Sequence, residues 1–218
     1  QDISQKSSNL LRLNLILNKL VHSIHNIVQA NTLIKPVHKD KSGRLTTFDY
    51  VVANPPFKLD FSDFRDELDN RKNSDRFFAG IPNIPPKEKD AMGIYLLFMQ
   101  HIIYSLKENG KAAVVVPTGF VTAKGIERKI REKLINEKML AGAINMPSNI
   151  FAKTGTNVTV LFIDRNNNDK VTLIDASKLG TQIKVGKNKK TLLSNDDEEA
   201  IINTFLKKEA IEDFSVVL

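Results

Sequence analysis

"FDYVVANPPF", residues 48–57, runs an apolar, β-branched segment directly into an asparagine, two prolines and a phenylalanine. The first six residues read as a strand. Two consecutive prolines remove two backbone donors and hold the preceding residues extended, so the strand stops there in a stiff turn that cannot pair as sheet. Such a turn displays the Asn54 amide, the Pro55 carbonyl and the Phe57 ring at fixed mutual positions. The expected product is a small polar pocket with an aromatic wall.

Working outward, strands and helices alternate. On the upstream side, Leu10, Leu13, Leu17, Leu20 and Val21 share one helical face behind Ser4, Ser7 or Ser8 as a cap, and "HNIVQANTL" reads as a short strand ending near Asn31. Both this strand and "FDYVVA" are expected to be buried on two faces. Downstream, "AMGIYLLFMQHIIYSLKE" (91–108) reads as a helix stopped by Gly110, "KAAVVVPTGF" as a strand, and "IERKIREKLI" as an amphipathic helix. "LAGAINMP", "NVTVLFIDR" and "VTLIDAS" follow as strands, and "SNDDEEAIINTFL" opens a helix with Ser194 three residues before Asp197. This order predicts an α/β fold, a mostly parallel sheet with helices on both faces. In such sheets ligands bind beyond the carboxyl ends of the strands, which is where Asn54 falls.

Composition narrows the field. With 218 residues and 41% apolar content the chain can bury one substantial core, and no run approaches the roughly 18 apolar residues of a membrane span. No cysteine is present, which excludes disulfides, thiolate metal sites and a cysteine nucleophile and suits a cytoplasmic setting. His22, His25, His38 and His101 show no ligand spacing beyond one i, i+3 pair, so surface positions are expected and no metal site. The net charge of +7 favours a polyanionic partner. It concentrates in residues 178–190, with five lysines and no acid, and in 124–138, where six basic residues face three glutamates. Solvated surface accounts for either patch taken alone. Residues 58–90 hold seven basic and eight acidic side chains without a sustained period, an irregular insertion of the length usually reserved for function or disorder.

An asparagine oxygen and a proline carbonyl can both accept from one exocyclic amino group, while a phenylalanine stacks on the ring that carries it. Residues 54–57 resemble motif IV of the amino methyltransferases in its Asn-Pro-Pro-Phe form. RNA guanine-N2 and protein glutamine methyltransferases carry similar tetrapeptides, and paired prolines also make inert turns. The ordered blocks 76–120, 126–134 and 144–164 are more discriminating, and over roughly residues 1–177 the chain resembles the modification subunit of type I restriction-modification systems, an adenine-N6 DNA methyltransferase.

That resemblance implies S-adenosylmethionine (SAM) as methyl donor and an adenine swung out of double-stranded DNA. It further implies a specificity subunit and a restriction subunit as partners. By motif match Asn54 and Pro55 would hold the amine, Pro56 would fix the turn and Phe57 would stack on the base. On the cofactor side Asp2 would meet the ribose hydroxyls, Ile3 would flank the cofactor adenine, and Asn31 with Thr32 would fall at its edge. A glycine-rich SAM loop does not occur ahead of residue 54, so the chain reads as the C-terminal part of a catalytic domain, N-terminally truncated, with poor cofactor affinity. Residues 178–218 read as a basic segment and helical extension. Thr118, Gly119 and Phe120 stand at a second strand end and "TGTN" (154–157) forms a family-like loop, while the insertion would border DNA or a partner subunit. A basic binding module, or a degenerate methylase that acts only in assembly, is the non-enzymatic alternative.

Overall fold

Alternation of small and branched apolar residues from Ala112 to Val116 makes an inner strand of the sheet, because Ala112, Val114 and Val116 fall on one face and are buried there. In the computed structural model, which describes residues 1–151 and 156–218, the elements run α1 (Gln5–Leu17), β1 (Phe48–Ala53), α2 (Arg65–Leu68), α3 (Tyr95–Tyr104), β2 (Leu106–Pro117), α4 (Ile126–Asn136), β3 (Leu140–Asn145), β4 (Val158–Asp164), β5 (Thr172–Asp175), β6 (Thr181–Val185), β7 (Asn188–Leu192), α5 (Asn195–Lys207) and β8 (Ser215–Val217). Six strands form one sheet in the order β1-β2-β4-β3-β5-β8, and β6 and β7 form a separate hairpin.

The sheet is mixed. β1 pairs parallel with β2 and β3 with β5, whereas β4 pairs antiparallel with both β2 and β3, and β8 with β5. Antiparallel return needs no crossover helix, and the described residues between β3 and β4 carry none. One consequence positions everything below: β1, β2, β3 and β5 end at the same edge of the sheet.

Helices cover both faces of the sheet's middle. On one face Tyr95, Met99 and Ile103 of α3 and Ile130 and Leu134 of α4 pack on Val114, Val116 and Leu161. On the other, Ile201 of α5 meets Ile144 and Ile174, and Phe205 lies 4.4 Å from Phe162 between ring centroids. The expected capping box holds α5, with Asp197 Oδ2 accepting from the Ser194 backbone at 2.9 Å and Ser194 Oγ from the Asp197 backbone at 3.1 Å. The segment beyond residue 177 returns to the sheet through β8.

Three expectations are corrected. "HNIVQANTL" is not a strand: Val21–Asn26 form a 3-10 helix, and within the stretch the one ladder contact is a single bridge between Gln29 and Asp2, because no neighbouring strand lies alongside. β1 is not buried on two faces but is the edge strand, with Tyr50 76% and Val52 86% exposed. The helix over 91–108 is shorter, ending at Tyr104, and Gly110 lies inside β2 rather than stopping a helix. A Cβ there would sit 2.8 Å from the carbonyl oxygen of Phe48, so glycine permits the approach of β1.

The insertion is ordered around its own core. Phe61, Leu68, Phe77 and Ile81 pack with Leu33, Met92 and Leu97 in a satellite cluster, beside which Arg76 is buried. Its guanidinium Nε donates to Nδ1 of His101 at 3.1 Å, so this histidine, expected at the surface, is neutral with its proton on Nε2. Burial first, and the Arg76 charge second, push its pKa down to about 3. Because an unfolded His101 still titrates near its ordinary value of 6.5, the unfolded chain binds the extra proton as pH falls from there toward 3. Stability from this group is complete above that window and decreases inside it. Urea unfolding should lose ~2 kcal/mol from this group between pH 7 and pH 5. His101→Gln should flatten that slope, and an unchanged slope would show that other groups set it.

Candidate active site

β1 delivers the tetrapeptide to the sheet edge. Ala53 is its last paired residue, opposite Val114, and Asn54 then stands exposed, Pro55 buried, Pro56 exposed and Phe57 half-buried. Neither the Asn54 side chain nor the Pro55 carbonyl has a hydrogen-bond partner among the described residues. The two prolines thus leave two acceptors open where the strand ends.

Phe57 forms one wall of a cavity of about 570 Å³ at the carboxyl ends of β1 and β2, a size ordinary for a small-molecule or single-base site. Tyr95 of α3 meets Phe57 edge-on, with centroids 6.3 Å apart and rings at 74°, and meets Phe120 in the same way at 6.3 Å and 76°. Pro117, Gly119 and Ile126 complete the apolar lining, and Lys58, Lys124 and Glu127 supply the charge. Asn54 does not line this cavity; it flanks it, three residues ahead of Phe57.

Two polar contacts hold the rings. The Tyr95 hydroxyl donates to Glu127 Oε1 at 3.2 Å, and burial together with that carboxylate raises its pKa well above the ordinary tyrosine range. Arg131 of α4 donates to the carbonyls of Phe120 and, at 2.7 Å, Ala123, and its Cζ lies 5.8 Å from the centre of the Phe120 ring. Of Thr118, Gly119 and Phe120, singled out at the strand end, Phe120 is therefore held by this arginine. Tyr95, Glu127 and Arg131 were not singled out in the sequence. The available signal was a tyrosine at the head of a largely apolar helix.

A second polar chain ties the neighbouring strand ends together. Thr159 Oγ1 donates to Thr118 Oγ1 at 3.3 Å, Thr118 Oγ1 to Asn145 Oδ1 at 3.3 Å, and Asn145 Nδ2 to Asp175 Oδ1 at 3.0 Å. Hydrogen bonds from Ser177 and Asn145 hold the Asp175 carboxyl below its usual range. A larger cleft of about 820 Å³ lies beyond Phe120, between α4 and β8, and its lining is mostly apolar. It shares Phe120 with the first cavity but none of residues 54–57.

Asp2, Ile3, Asn31 and Thr32 come together in a small strap. The Asp2 backbone bonds Val28 and Ala30, Gln29 Nε2 donates to the Ile3 carbonyl at 3.3 Å, and Thr32 Oγ1 to that of Gln1 at 3.5 Å. Asp2 Oδ1 accepts from the Ser4 backbone at 2.6 Å, which leaves Oδ2 without a partner among the described residues. Asn31 Oδ1 is occupied by the backbone of Leu33 and Ile34, so only its amide nitrogen remains to donate outward. Ile3 is 67% exposed. The strap thus offers a free carboxylate oxygen, an amide donor and an exposed apolar side chain. The loop residues 154 and 155 of "TGTN" lie outside the described residues.

A sheet in which β4 returns antiparallel between β2 and β3, with helices on both faces, is the SAM-dependent methyltransferase fold. Residues 1–218 match the profile of the N-6 DNA Methylase family, and the chain belongs to that family. It is 29% identical over 222 residues to the type I restriction enzyme MpnII methylase subunit of Mycoplasma pneumoniae, covering 99% of this chain and 38% of that subunit. To the MjaIX methylase subunit of Methanocaldococcus jannaschii it is 32% identical over 182 residues, covering 81% of this chain and 31% of the other. The crystal structure of a type I restriction-modification methyltransferase subunit from Streptococcus thermophilus superposes with a TM-score of 0.75 at 27% identity, covering 99% of this chain and 43% of that one. The chain thus spans less than half the length of these relatives.

Proposed function

We propose that this chain is the target-base part of a DNA adenine-N6 methyltransferase subunit of a type I restriction-modification system. The observation that carries the reading is the pair of open acceptors, Asn54 and the Pro55 carbonyl, at the end of β1 beside a ring-lined cavity entered by Phe57. An adenine extruded from the duplex would present its amino group to both acceptors and its ring to Phe57. As the nitrogen attacks it would acquire positive charge that two fixed acceptors stabilise without reorganising; the sulfur–methyl bond would break to leave a neutral thioether, and the nitrogen would then lose one proton to solvent. Orientation supplies much of the rate, so no covalent nucleophile is required.

SAM, when bound, supplies an electrophilic methyl group. Asp2, Ile3, Asn31 and Thr32 would hold its nucleoside half. The 218 residues contain no glycine-rich turn ahead of Asn54 to hold its methionine half. Calorimetric titration of the 218-residue chain with SAM is expected to give weak heats or none, and micromolar affinity would contradict this assignment.

Double-stranded DNA and the specificity and restriction subunits are the partners that this function entails, in the cytoplasm. Among the described residues no helix is long and apolar enough to cross a membrane. RNA guanine-N2 and protein glutamine transfer are disfavoured by the family match over the whole chain. The test is transfer of labelled methyl from SAM by the full-length protein with its specificity subunit. N6-methyladenine in duplex DNA is the expected product; methylguanine in RNA or methylglutamine would refute the proposal.

A further inference from the structure

The lysine-rich segment 178–190 has no role in the chemistry above, yet the fold gives it a defined shape and place. β6 and β7 pair through Gly186 and Lys187, with Gly186 at φ +63° and Lys187 outside the left-handed region, as a two-residue type II′ hairpin requires. Lys184 and Lys189 are cross-strand partners, and Lys187 is at the tip. Like charges directly opposite each other in a ladder destabilise it, and among the described residues no acid forms an ion pair with Lys184, Lys187, Lys189 or Lys190. Each of Lys184, Lys187 and Lys189 is exposed.

The hairpin is not a free arm. Thr191 is buried, its Oγ1 donates to the Ser148 carbonyl at 2.6 Å and its backbone donates to that of Asn149 at 3.0 Å. Ser148 and Asn149 follow the carboxyl end of β3, and the hairpin itself follows the carboxyl end of β5. Since β1 and β2 end at this same edge, the hairpin is anchored at the edge of the sheet that carries Asn54 and the ring-lined cavity. Thr191 and Lys189 share one face of β7, so the face that docks on the Ser148 loop continues into the opposed lysine pair. The acids nearest in sequence are Asp175, whose Oδ1 accepts from Asn145 and Ser177, and Asp196, Asp197 and Glu198 in the first turn of α5, where Asp197 is engaged in the capping box.

We propose that the β6–β7 hairpin contacts the phosphate backbone of the duplex whose base enters the Asn54 site, independently of sequence. This rests on the methyltransferase reading for the identity of the duplex. A polyanion relieves the repulsion between Lys184 and Lys189 that the isolated hairpin carries. Lysine is depleted in protein interfaces, which favours DNA over a partner subunit as the occupant.

The test is fluorescence anisotropy of the full-length protein with a labelled duplex of arbitrary sequence across a salt series. Replacing Lys184, Lys187 and Lys189 with Gln should make the slope of log K against log salt shallower by about 2–3, since each phosphate contact contributes about 0.9. The corresponding arginine variant should keep the slope. Should the triple variant melt early by circular dichroism, Lys187→Gln alone is read instead, with an expected change of about 0.9. An unchanged slope overturns the proposal. So does a variant that binds duplex normally and fails to assemble with the specificity subunit on size exclusion, which would mark a protein contact. Salt-dependent binding needs neither SAM nor Asn54, so this outcome is separable from the product identity that tests the methylase reading.

Discussion

Asn54→Ala in the full-length protein should lower the rate of methyl transfer to adenine by on the order of 10²–10³-fold, the loss seen when one fixed group stabilising transition-state charge is removed. The side chain has no hydrogen-bond partner among the described residues and stands exposed at the end of β1, so its truncation should leave thermal stability within about 0.5 kcal/mol of the parent. That pairing of a large kinetic effect with a small thermodynamic one is what separates a residue that touches substrate from one that supports the fold. Asn54→Asp keeps an acceptor oxygen in the same place and should retain a measurable part of the activity. Measuring kcat and KM separately sharpens the reading, because an interaction made only as charge develops lowers kcat and kcat/KM together. An Asn54→Ala protein with parental kcat would remove the amide from the chemistry.

The parts of this site differ in how far local sequence announces them. Residues 54–57 were legible because two prolines after an apolar run act on their own backbone, with no help from distant residues. β3, β4 and β5 were legible too, since each is a short apolar run between turn residues. Tyr95 was not, because its meaning comes from Glu127, thirty-two positions away, and from the β1–β2 register that brings Phe120 toward Phe57. Gly110 was misread for a related reason: a glycine after a helical run looks like a stop, and only the approach of the Phe48 carbonyl reveals its role in the sheet. Tyr50 and Val52 look like core residues in any local reading, yet exposure is decided by whether a strand lies beside them. The lysine hairpin escaped because alternating Thr181, Ile183 and Val185 are separated by polar residues and end in a charge run.

Arg76→Ala should destabilise the protein by on the order of 3–4 kcal/mol, a large part of the 5–15 kcal/mol typical of a folded domain. Arg76 is 5% exposed and among the described residues pairs with no carboxylate; Nη1 donates to the Leu33 carbonyl at 2.8 Å, Nη2 to that of Thr32 at 2.9 Å and Nε to His101 at 3.1 Å, with Cζ 4.5 Å from the centre of the Phe77 ring. Burial pushes its pKa down to about 10, so it remains charged at neutral pH, solvated by carbonyl dipoles and a ring face. Truncation would orphan two carbonyls and an imidazole nitrogen at once. Each such loss leaves a desolvated group without a partner, which costs more than the net worth of the bond it made. Arg76→Lys should recover less than half of the deficit, because one ammonium cannot reproduce a planar fork aimed at three acceptors. The same contacts tie the insertion to the strap that carries Asn31 and Thr32, so the variant should also weaken SAM binding by the full-length protein below its unfolding temperature. Urea midpoints for the two variants, read beside SAM affinity, decide the matter: an Arg76→Ala midpoint equal to the parent would mean that water replaces the guanidinium, and that the strap is held by other contacts.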